Sequence, residues 1–262
     1  MCSSRAQDCS LDSGPRRGGT MNDSAWYLAV KKLKEYIVKI ETPDGHGSGF
    51  LVPAPAGKQG LRCIATANHV VRHADKWAEP ICIIHPLSGR QVFLNAAQRY
   101  VIAAAGRDQA VIQFSAKWLQ SPKSDLRFSE EDKHYIEGVE AGWLGFPSVF
   151  PMNSCFFHGH ISSYIDEDEL YIVDGVAING VSGGPVFVIE NGEPVVIGLV
   201  TEYRPNCTTG QVLPGMSVMR SINPLIKYYR EELKKYKNAQ LDVAKATEVK
   251  SSQSVGQGIV QN

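Results

Sequence analysis

Short β-rich runs separated by turn residues dominate this sequence and restrict what it can fold into. One set lies between Tyr36 and Phe114, and a second lies between Val139 and Arg220. Runs of about four to eight apolar, β-branched and aromatic residues bounded by Gly, Pro, Asn or Asp are typical of strands. The first set consists of YIVKIET, GSGFLVP, LRCIATA, PICIIHP, RQVFLNA, RYVIAAA and QAVIQF, and the second of VEAGWLGF, CFFHGHISSYI, ELYIVD, PVFVIE, PVVIGLV and MSVMR. Many short strands of this kind predict an all-β protein with two β-halves, each a barrel or a sandwich.

The segments around the two β-halves carry different signals. A helical pattern starts behind a cap at Asp23 or Ser24, and another starts behind Ser221. The apolar face of the first helix consists of Trp26, Ala29, Val30 and Leu33. The predicted order is a disordered tail at 1–22, a helix at 23–35, the first β-half at 36–114, a polar linker at 115–137, the second β-half at 138–220, a C-terminal helix at 221–237 and a disordered tail at 238–262.

Composition excludes several classes of partner. The 262 residues include 27 Lys and Arg and 27 Asp and Glu, so the chain has no general electrostatic preference for nucleic acid. No apolar run approaches the roughly 18 residues of a membrane span. The N-terminal segment lacks the apolar core of a signal peptide, and the six cysteines form no CxxC pair. We therefore expect a cytoplasmic protein with reduced thiols.

Three stretches carry residues suited to chemistry. The stretch NGVSGGPV surrounds Ser182 with glycines, and glycine serves where the backbone needs positive φ or close approach. A tight turn between two strands would explain this stretch equally well. IATANHVV puts His69 directly after a predicted strand, and GRDQAVIQF puts Asp108 at the start of another.

These stretches resemble the catalytic segments of the serine proteases with the chymotrypsin/trypsin fold. TANHVV, DQAVI and GVSGGP occur in the order His, Asp, Ser that this family uses. GSGFLV, GWLGFP and VIGLVT are similar to segments of the bacterial HtrA-type branch. The resemblance covers Tyr36 to Tyr236 and leaves no stretch for the PDZ domain that usually follows in HtrA proteins. It implies two six-stranded antiparallel β-barrels with an active site in the cleft between them.

The resemblance implies a role for each catalytic residue. Ser182 would be the nucleophile and His69 the general base, while Asp108 would orient the imidazole and stabilise its charged form. The backbone N–H groups of Gly180 and Ser182 would form the oxyanion hole, which answers why glycines surround the serine. The implied enzyme is a serine endopeptidase that needs no cofactor and no metal.

The resemblance also marks a substrate-binding region. Thr201 corresponds to the residue that supports the catalytic aspartate, and Glu202 and Tyr203 lie on the strand that pairs with an extended polypeptide substrate. Val176 corresponds to the floor of the pocket for the residue before the cut, the P1 residue. Since no acid stands there and Tyr203 replaces a common glycine, we expect a preference for a small or medium apolar P1 residue such as Val, Ala or Leu.

One departure bears on activation. Val181 precedes the serine, whereas the digestive enzymes have an aspartate that pairs with a freed N-terminus. Activation by that ion pair is therefore not expected. HtrA-type members lack this aspartate as well, so its absence does not argue against activity.

Other readings of these residues remain open. The chain could be an idle or partner-activated peptide-binding module with a protease shape, or an esterase that uses the same groups. A regulatory partner chain would then switch the site on. His69 and His73 have a spacing that could bind zinc on a helix, but no third ligand stands at a suitable spacing. The acidic run at residues 166–169 is most simply a solvated hairpin tip.

Overall fold

The computed structural model describes residues 21–54, 60–122, 124–130, 133–205 and 212–225, together with residues 227, 228, 231 and 238. The predicted disordered tails lie outside these residues, except for 21–22 and 238. Most of the predicted C-terminal helix also lies outside them, although residues 223–225 are helical.

The first β-half is a seven-stranded antiparallel sheet. Its strands are β1 (Ile37–Thr42), β2 (Gly45–Val52), β3 (Leu61–Ala67), β4 (Ile81–His85), β5 (Arg90–Leu94), β6 (Arg99–Ala104) and β7 (Gln109–Ser115). They lie in the order β5-β4-β1-β2-β3-β7-β6. Helix α1 (Met21–Leu33) precedes the sheet, and helix α2 (Asn68–Lys76) follows β3 directly.

The second β-half closes on itself. Its strands are β8 (Arg127–Phe128), β9 (Glu140–Gly145), β10 (Cys155–Ile165), β11 (Leu170–Asp174), β12 (Pro185–Glu190), β13 (Glu193–Pro205) and β14 (Val212–Ser221). The order is β12-β9-β10-β11-β14-β13-β8, and an additional pairing of β12 with β13 completes a ring of six strands. Strand β8 lies outside this ring and pairs with β13 in parallel.

The expected all-β, trypsin-like architecture is confirmed, with differences in detail. Each predicted run contains a strand, because turn residues mark both of its ends. The first half has seven strands instead of six, and within the described residues its edge strands β5 and β6 do not pair. The predicted linker at 115–137 contains β8, which was not expected because two residues carry no periodic signal.

Burial joins the two halves into one core. The larger apolar cluster contains Phe50 and Ile64 from the first sheet together with Leu144 and Leu199 from the second. Ala29 and Leu33 of α1 are fully buried in the same cluster, as the helical face predicts. Among the described helices, none combines the length and the apolar character that crossing a bilayer requires. The described cysteines Cys63, Cys82 and Cys155 form no disulfide bond.

Polar contacts also cross the interface between the halves. The Gln109 side-chain amide donates to the Ser221 carbonyl oxygen at 2.8 Å. Arg107 forms an ion pair with Glu169 across this interface. Within the second half, the Arg220 guanidinium donates to the Asp168 carbonyl oxygen at 2.9 Å. The hairpin tip at residues 166–169 is therefore part of this interface, which corrects the expectation that it is only solvated.

A buried histidine connects the end of α1 to the first sheet. His85 is 6% exposed. Its Nε2 atom lies 3.0 Å from the Glu35 carbonyl oxygen, and its Nδ1 atom lies 2.7 Å from Ser88 Oγ. Burial lowers the pKa of His85 below its ordinary value, and the hydrogen bond to the Glu35 carbonyl opposes this shift. The folded protein therefore favours a neutral imidazole.

Stability should depend on pH through His85. Below about pH 6.5 the unfolded chain binds a proton at this residue that the folded chain resists. The free energy of unfolding should therefore decrease as the pH falls from about 6.5 through the folded-state pKa. Urea unfolding at several pH values should find a smaller decrease for His85→Gln than for the wild type. The exposed His134 supplies the control, because His134→Gln should keep the wild-type dependence. Parallel stability curves for the wild type and His85→Gln would contradict this assignment.

Candidate active site

The first turn of α2 presents His69 to the cleft between the halves. Strand β3 ends at Ala67 and α2 begins at Asn68, so His69 follows the strand without a loop. Its Nδ1 atom lies 2.7 Å from Asp108 Oδ2, and its backbone N–H donates to Asp108 Oδ1 at 2.8 Å. A carboxylate only accepts, so Nδ1 donates in this contact, and Nε2 is the ring nitrogen that Asp108 leaves unengaged.

The backbone around Asp108 fixes its carboxylate. Asp108 has a φ of 51°, a left-handed conformation that is uncommon for residues other than glycine. The Asn68 backbone N–H donates to the Asp108 carbonyl oxygen at 3.0 Å, so β7 and α2 are joined at this point. Both carboxylate oxygens are then engaged by His69, which holds the imidazole in one orientation.

Ser182 lies on the opposite wall of the same cleft. The cleft has a volume of about 660 Å³ and is lined by Asn68, His69, Arg72, Gly106, Asp108, Ala177, Ile178, Asn179, Ser182, Val200, Thr201, Glu202 and Arg220. Ser182 Oγ donates to the Thr201 carbonyl oxygen at 3.3 Å. Within the described residues it makes no hydrogen bond to His69. The structure thus brings all three predicted catalytic residues to one cleft, with the serine hydroxyl turned towards β13.

Residues 178–182, hereafter the serine turn, form a type II turn that leads into Ser182. The Val181 N–H donates to the Ile178 carbonyl oxygen at 3.0 Å, and Gly180 has a φ of +91° at the third position. Type II turns require positive φ at that position, which glycine adopts without steric cost. A Cβ atom on Gly180 would also overlap the Phe146 carbonyl oxygen. Both constraints explain the glycine before Val181.

Two carbonyl groups of the serine turn are held by hydrogen bonds from residues outside the turn. The Asn179 carbonyl oxygen accepts a hydrogen bond of 2.7 Å from the Ser148 N–H. The Gly180 carbonyl oxygen accepts one of 2.7 Å from Ser48 Oγ. The N–H groups of Gly180 and Ser182, by contrast, donate to no acceptor in the described part of the protein. The turn that carries the serine hydroxyl therefore contains two unpaired donors among the described residues, and an anion-binding site requires such donors.

Thr201 contacts the candidate catalytic residues through its backbone carbonyl oxygen and not through its hydroxyl. The resemblance implied that it supports Asp108, but its hydroxyl donates to the Val218 carbonyl oxygen at 3.2 Å. Thr201 lies on β13 directly beside β14, so the nearest acceptor for its hydroxyl is main chain of the neighbouring strand. Its carbonyl oxygen accepts the bond from Ser182.

Residues 201–203 of β13 have one edge that pairs with no described strand. Glu202 is exposed and lines the cleft, and it pairs with Val218, while Tyr203 pairs with Ser217. On the other edge β12 pairs with β13 only as far as Leu199, so no described strand pairs with residues 201–203 there. The side chain of Tyr203 lies outside the described residues.

Val176 does not line the cleft. Val176 is 51% exposed, and the three residues that follow it line the cleft instead. The Ser217 hydroxyl donates to the Gly175 carbonyl oxygen at 2.7 Å and accepts from the Ala177 N–H at 2.8 Å. These bonds hold the flanking residues against β14, and the residue between them points outwards. Ser217, which is 1% exposed, occupies the place behind the wall.

Sequence reasoning missed two cationic residues of the cleft and one buried serine. Arg72 lies three residues after His69 on α2, a spacing that places both on one helical face. Arg220 reaches the cleft from β14, which no local pattern indicates. Ser48 contacts the serine turn from β2, and its GSG context gave no sign of a polar role. His69 and His73 face separate carboxylates, and among the described residues no group of His, Cys, Asp or Glu could hold a metal ion.

Comparisons with known proteins agree with this geometry. Residues 47–199 match the family described as the trypsin-like peptidase domain. No curated protein matches the sequence closely enough to serve as a relative.

Many solved structures share the fold, among them the following three. The crystal structure of Deg5 has a TM-score of 0.56 at 17% identity and covers 79% of this chain and 93% of its own. An inactive mutant form of Rv3671c from M. tuberculosis H37Rv has a TM-score of 0.53 at 16% identity, with coverage of 76% and 87%. A serine endoprotease from Yersinia pestis has a TM-score of 0.58 at 17% identity, with coverage of 80% and 66%.

At 16–17% identity, these solved structures show only that the chain shares their fold. The family match, by contrast, rests on the sequence. The matched segment includes His69, Asp108 and Ser182 and spans more than half of the chain. The expected resemblance to the trypsin-fold proteases is therefore confirmed, and this chain belongs to the family of trypsin-like peptidase domains.

Proposed function

We propose that this protein is a serine endopeptidase. One observation carries the proposal: an imidazole bonded to a carboxylate and a serine hydroxyl share one cleft beside two unpaired backbone N–H groups. His69, Asp108 and Ser182 are the groups that acyl transfer needs, and the N–H groups of Gly180 and Ser182 suit a tetrahedral oxyanion. The family match supports peptide hydrolysis over other chemistry.

The proposed reaction proceeds through an acyl-enzyme. His69 Nε2 takes the proton of Ser182 Oγ while the oxygen attacks the scissile carbonyl carbon. The carbonyl oxygen becomes negative and accepts hydrogen bonds from the N–H groups of Gly180 and Ser182. The C–N bond then breaks, and the proton passes from His69 to the leaving amine. Water repeats the sequence on the ester and releases the second product. Asp108 stabilises the imidazolium in both steps.

The proposed substrate is an extended polypeptide segment. The free edge at residues 201–203 offers main-chain groups to an added strand, and the adjoining cleft offers room for side chains. A substrate N–H that donates to the Thr201 carbonyl oxygen would take the acceptor that Ser182 Oγ now uses. Substrate binding would then release the hydroxyl for a hydrogen bond to His69.

The walls of the cleft favour an apolar P1 residue of small or medium size. Ala177, Ile178 and Val200 line it, and no carboxylate lies on the wall that follows Val176. The bonds of Ser217 to residues 175 and 177 close the space behind that wall. The observed position of Val176 removes it as the floor residue, but the expected preference for Val, Ala or Leu stays.

A second candidate is an idle or partner-activated peptide-binding module. The hydrogen bond between Ser182 Oγ and the Thr201 carbonyl oxygen favours it, since this bond keeps the nucleophile away from its base. In that case the cleft would bind a peptide, and a regulatory partner would be required to release the hydroxyl. Reactivity of Ser182 in the isolated protein distinguishes the two candidates.

Ser182 should react with a fluorophosphonate probe. Its oxygen would bond to phosphorus as the P–F bond breaks, with fluoride leaving and the proton passing to His69. Mass spectrometry should find one phosphonyl group, on the peptide that contains Ser182, and Ser182→Ala should remain unlabelled. A folded wild-type protein that remains unlabelled at saturating probe would reject the endopeptidase in favour of the second candidate.

Asp108→Asn should lower kcat/KM by roughly 10³- to 10⁴-fold, because an amide can donate to Nδ1 and so leave the wrong tautomer. The measurement is hydrolysis of the peptide that the wild type cleaves fastest in a library with every residue at P1. Asp174 offers a matched control, because its carboxylate also accepts a hydrogen bond from a histidine backbone N–H, that of His160, but lies outside the cleft. Asp174→Asn should keep kcat/KM within about threefold of the wild type. Equal losses in both variants would contradict the role of Asp108.

A peptide library with every residue at P1 should reveal cleavage after Val, Ala or Leu. Lys and Arg should be poor because residues 177–179, which form the wall after Val176, carry no carboxylate to pair with them. Mass spectrometry of the products identifies each cut. A clear preference for Lys or Arg at P1 would overturn the specificity assignment, while it would leave the endopeptidase assignment intact.

A further inference from the structure

We propose that Ser48 is a positioning residue whose buried hydroxyl fixes the serine turn in the arrangement that aims the Gly180 and Ser182 N–H groups at the cleft. The inference rests on the proposed function, because it assigns the oxyanion hole of that reaction a support outside the catalytic triad. Ser48 lies on β2 in the first sheet, whereas the serine turn belongs to the second.

The polar groups of Ser48 are all paired although the residue is 0% exposed. Its hydroxyl donates to the Gly180 carbonyl oxygen at 2.7 Å and accepts from the Phe146 N–H at 2.9 Å. Its backbone N–H donates to the Ser182 carbonyl oxygen at 2.8 Å. Its carbonyl oxygen accepts from Thr66 Oγ1 at 2.7 Å. Ser48 thus contacts the residues on both sides of Val181.

The first route from Ser48 to the oxyanion hole is direct. Glycine can adopt a wide range of backbone conformations, so the conformational preference of Gly180 does not by itself hold its φ at +91°. The hydrogen bond from Ser48 Oγ holds the carbonyl of the same residue towards the first sheet. Without it, the peptide unit between Gly180 and Val181 could rotate, and the change in the Gly180 dihedral angles would redirect the neighbouring N–H of Gly180.

The second route passes through the loop after β9. The Ser48 hydroxyl accepts from the Phe146 N–H, and Ser148, two residues later, donates its own N–H to the Asn179 carbonyl oxygen at 2.7 Å. That carbonyl belongs to the peptide unit whose N–H is on Gly180. One hydroxyl therefore fixes the peptide on one side of Gly180 directly and supports the peptide on the other side through this loop.

The side chain of Val181, which lies between the two N–H donors, cannot replace this support. Val181 is fully buried in the apolar cluster of the second half and offers no polar group. Replacing Ser48 with alanine would leave the Gly180 carbonyl and the Phe146 N–H buried without that partner, and unpaired buried groups favour rearrangement. The expected rearrangement changes the direction of the oxyanion-hole donors before it changes the fold, because the apolar contacts of Val181 remain.

Labelling kinetics with the fluorophosphonate probe test this role. Ser48→Ala should lower the maximal rate constant, kinact, by about 10- to 100-fold, less than or equal to the loss of an oxyanion-hole donor itself. The half-saturating concentration KI should change by less than about threefold, because the cleft walls are unaltered. Ser129→Ala is the matched control: it also removes a buried hydroxyl, 5% exposed, but one that bonds Glu130 and Asn223 far from the serine turn. Its kinact should equal that of the wild type.

Amide NMR spectra provide a readout that does not depend on activity. In ¹⁵N–¹H spectra, Ser48→Ala should move the Gly180 and Ser182 resonances, and Ser129→Ala should leave them in place. Should the alanine variant fail to fold, Ser48→Cys carries the test, because a thiol is a weaker donor that keeps the side chain in place. It should give an intermediate kinact.

The outcomes separate the two proposals. An unlabelled wild type whose Gly180 and Ser182 resonances still respond to Ser48→Ala rejects the endopeptidase and supports the positioning role. A labelled wild type with unchanged kinact and unchanged resonances in the Ser48 variant overturns the positioning role and leaves the endopeptidase in place. A loss that resides in KI instead of kinact also overturns it.

Discussion

The hydrogen bond from the Ser48 N–H to the Ser182 carbonyl oxygen joins the two β-halves at the residue on which the proposed chemistry depends. The first β-half supplies His69 and Asp108, and the second β-half supplies Ser182. A catalytic arrangement therefore exists only if the sheets hold a fixed register across the cleft. The shared apolar core brings the sheets together without direction, whereas this bond and the one from Gln109 to Ser221 fix which backbone atoms meet.

The strands were predictable because their signals are local. Turn residues bound each run, so composition and length identify the strands, even those at the two ends of the first sheet, which do not pair with each other in the described part of the chain. Strand β8 was missed because residues Arg127 and Phe128 become a strand only through parallel pairing with β13, a contact distant in sequence. The acidic hairpin tip was misread for a related reason, since its ion pair partner Arg107 lies in the other half.

The candidate site was predictable where a motif carries its own backbone geometry. The glycine before Val181 anticipates a turn with positive φ, and the structure has one at Gly180. Side-chain directions outside the motifs were not predictable in this way. Val176 points outwards because Ser217 on β14 holds its neighbours, and the Thr201 hydroxyl prefers the Val218 carbonyl to Asp108. Both outcomes depend on β14, which no pattern within residues 176–201 reveals.

The most direct test of this account is a crystal structure of the protein with a peptide boronic acid in the cleft. We predict a covalent bond between boron and Ser182 Oγ, with one boronate oxygen within about 3 Å of both the Gly180 and the Ser182 nitrogen. The peptide should lie antiparallel to residues 201–203, and one of its N–H groups should donate a hydrogen bond to the Thr201 carbonyl oxygen. Two results would contradict the account. In one, Ser182 Oγ still donates its hydrogen bond to the Thr201 carbonyl oxygen; in the other, the boronate oxygen faces solvent instead of the serine turn.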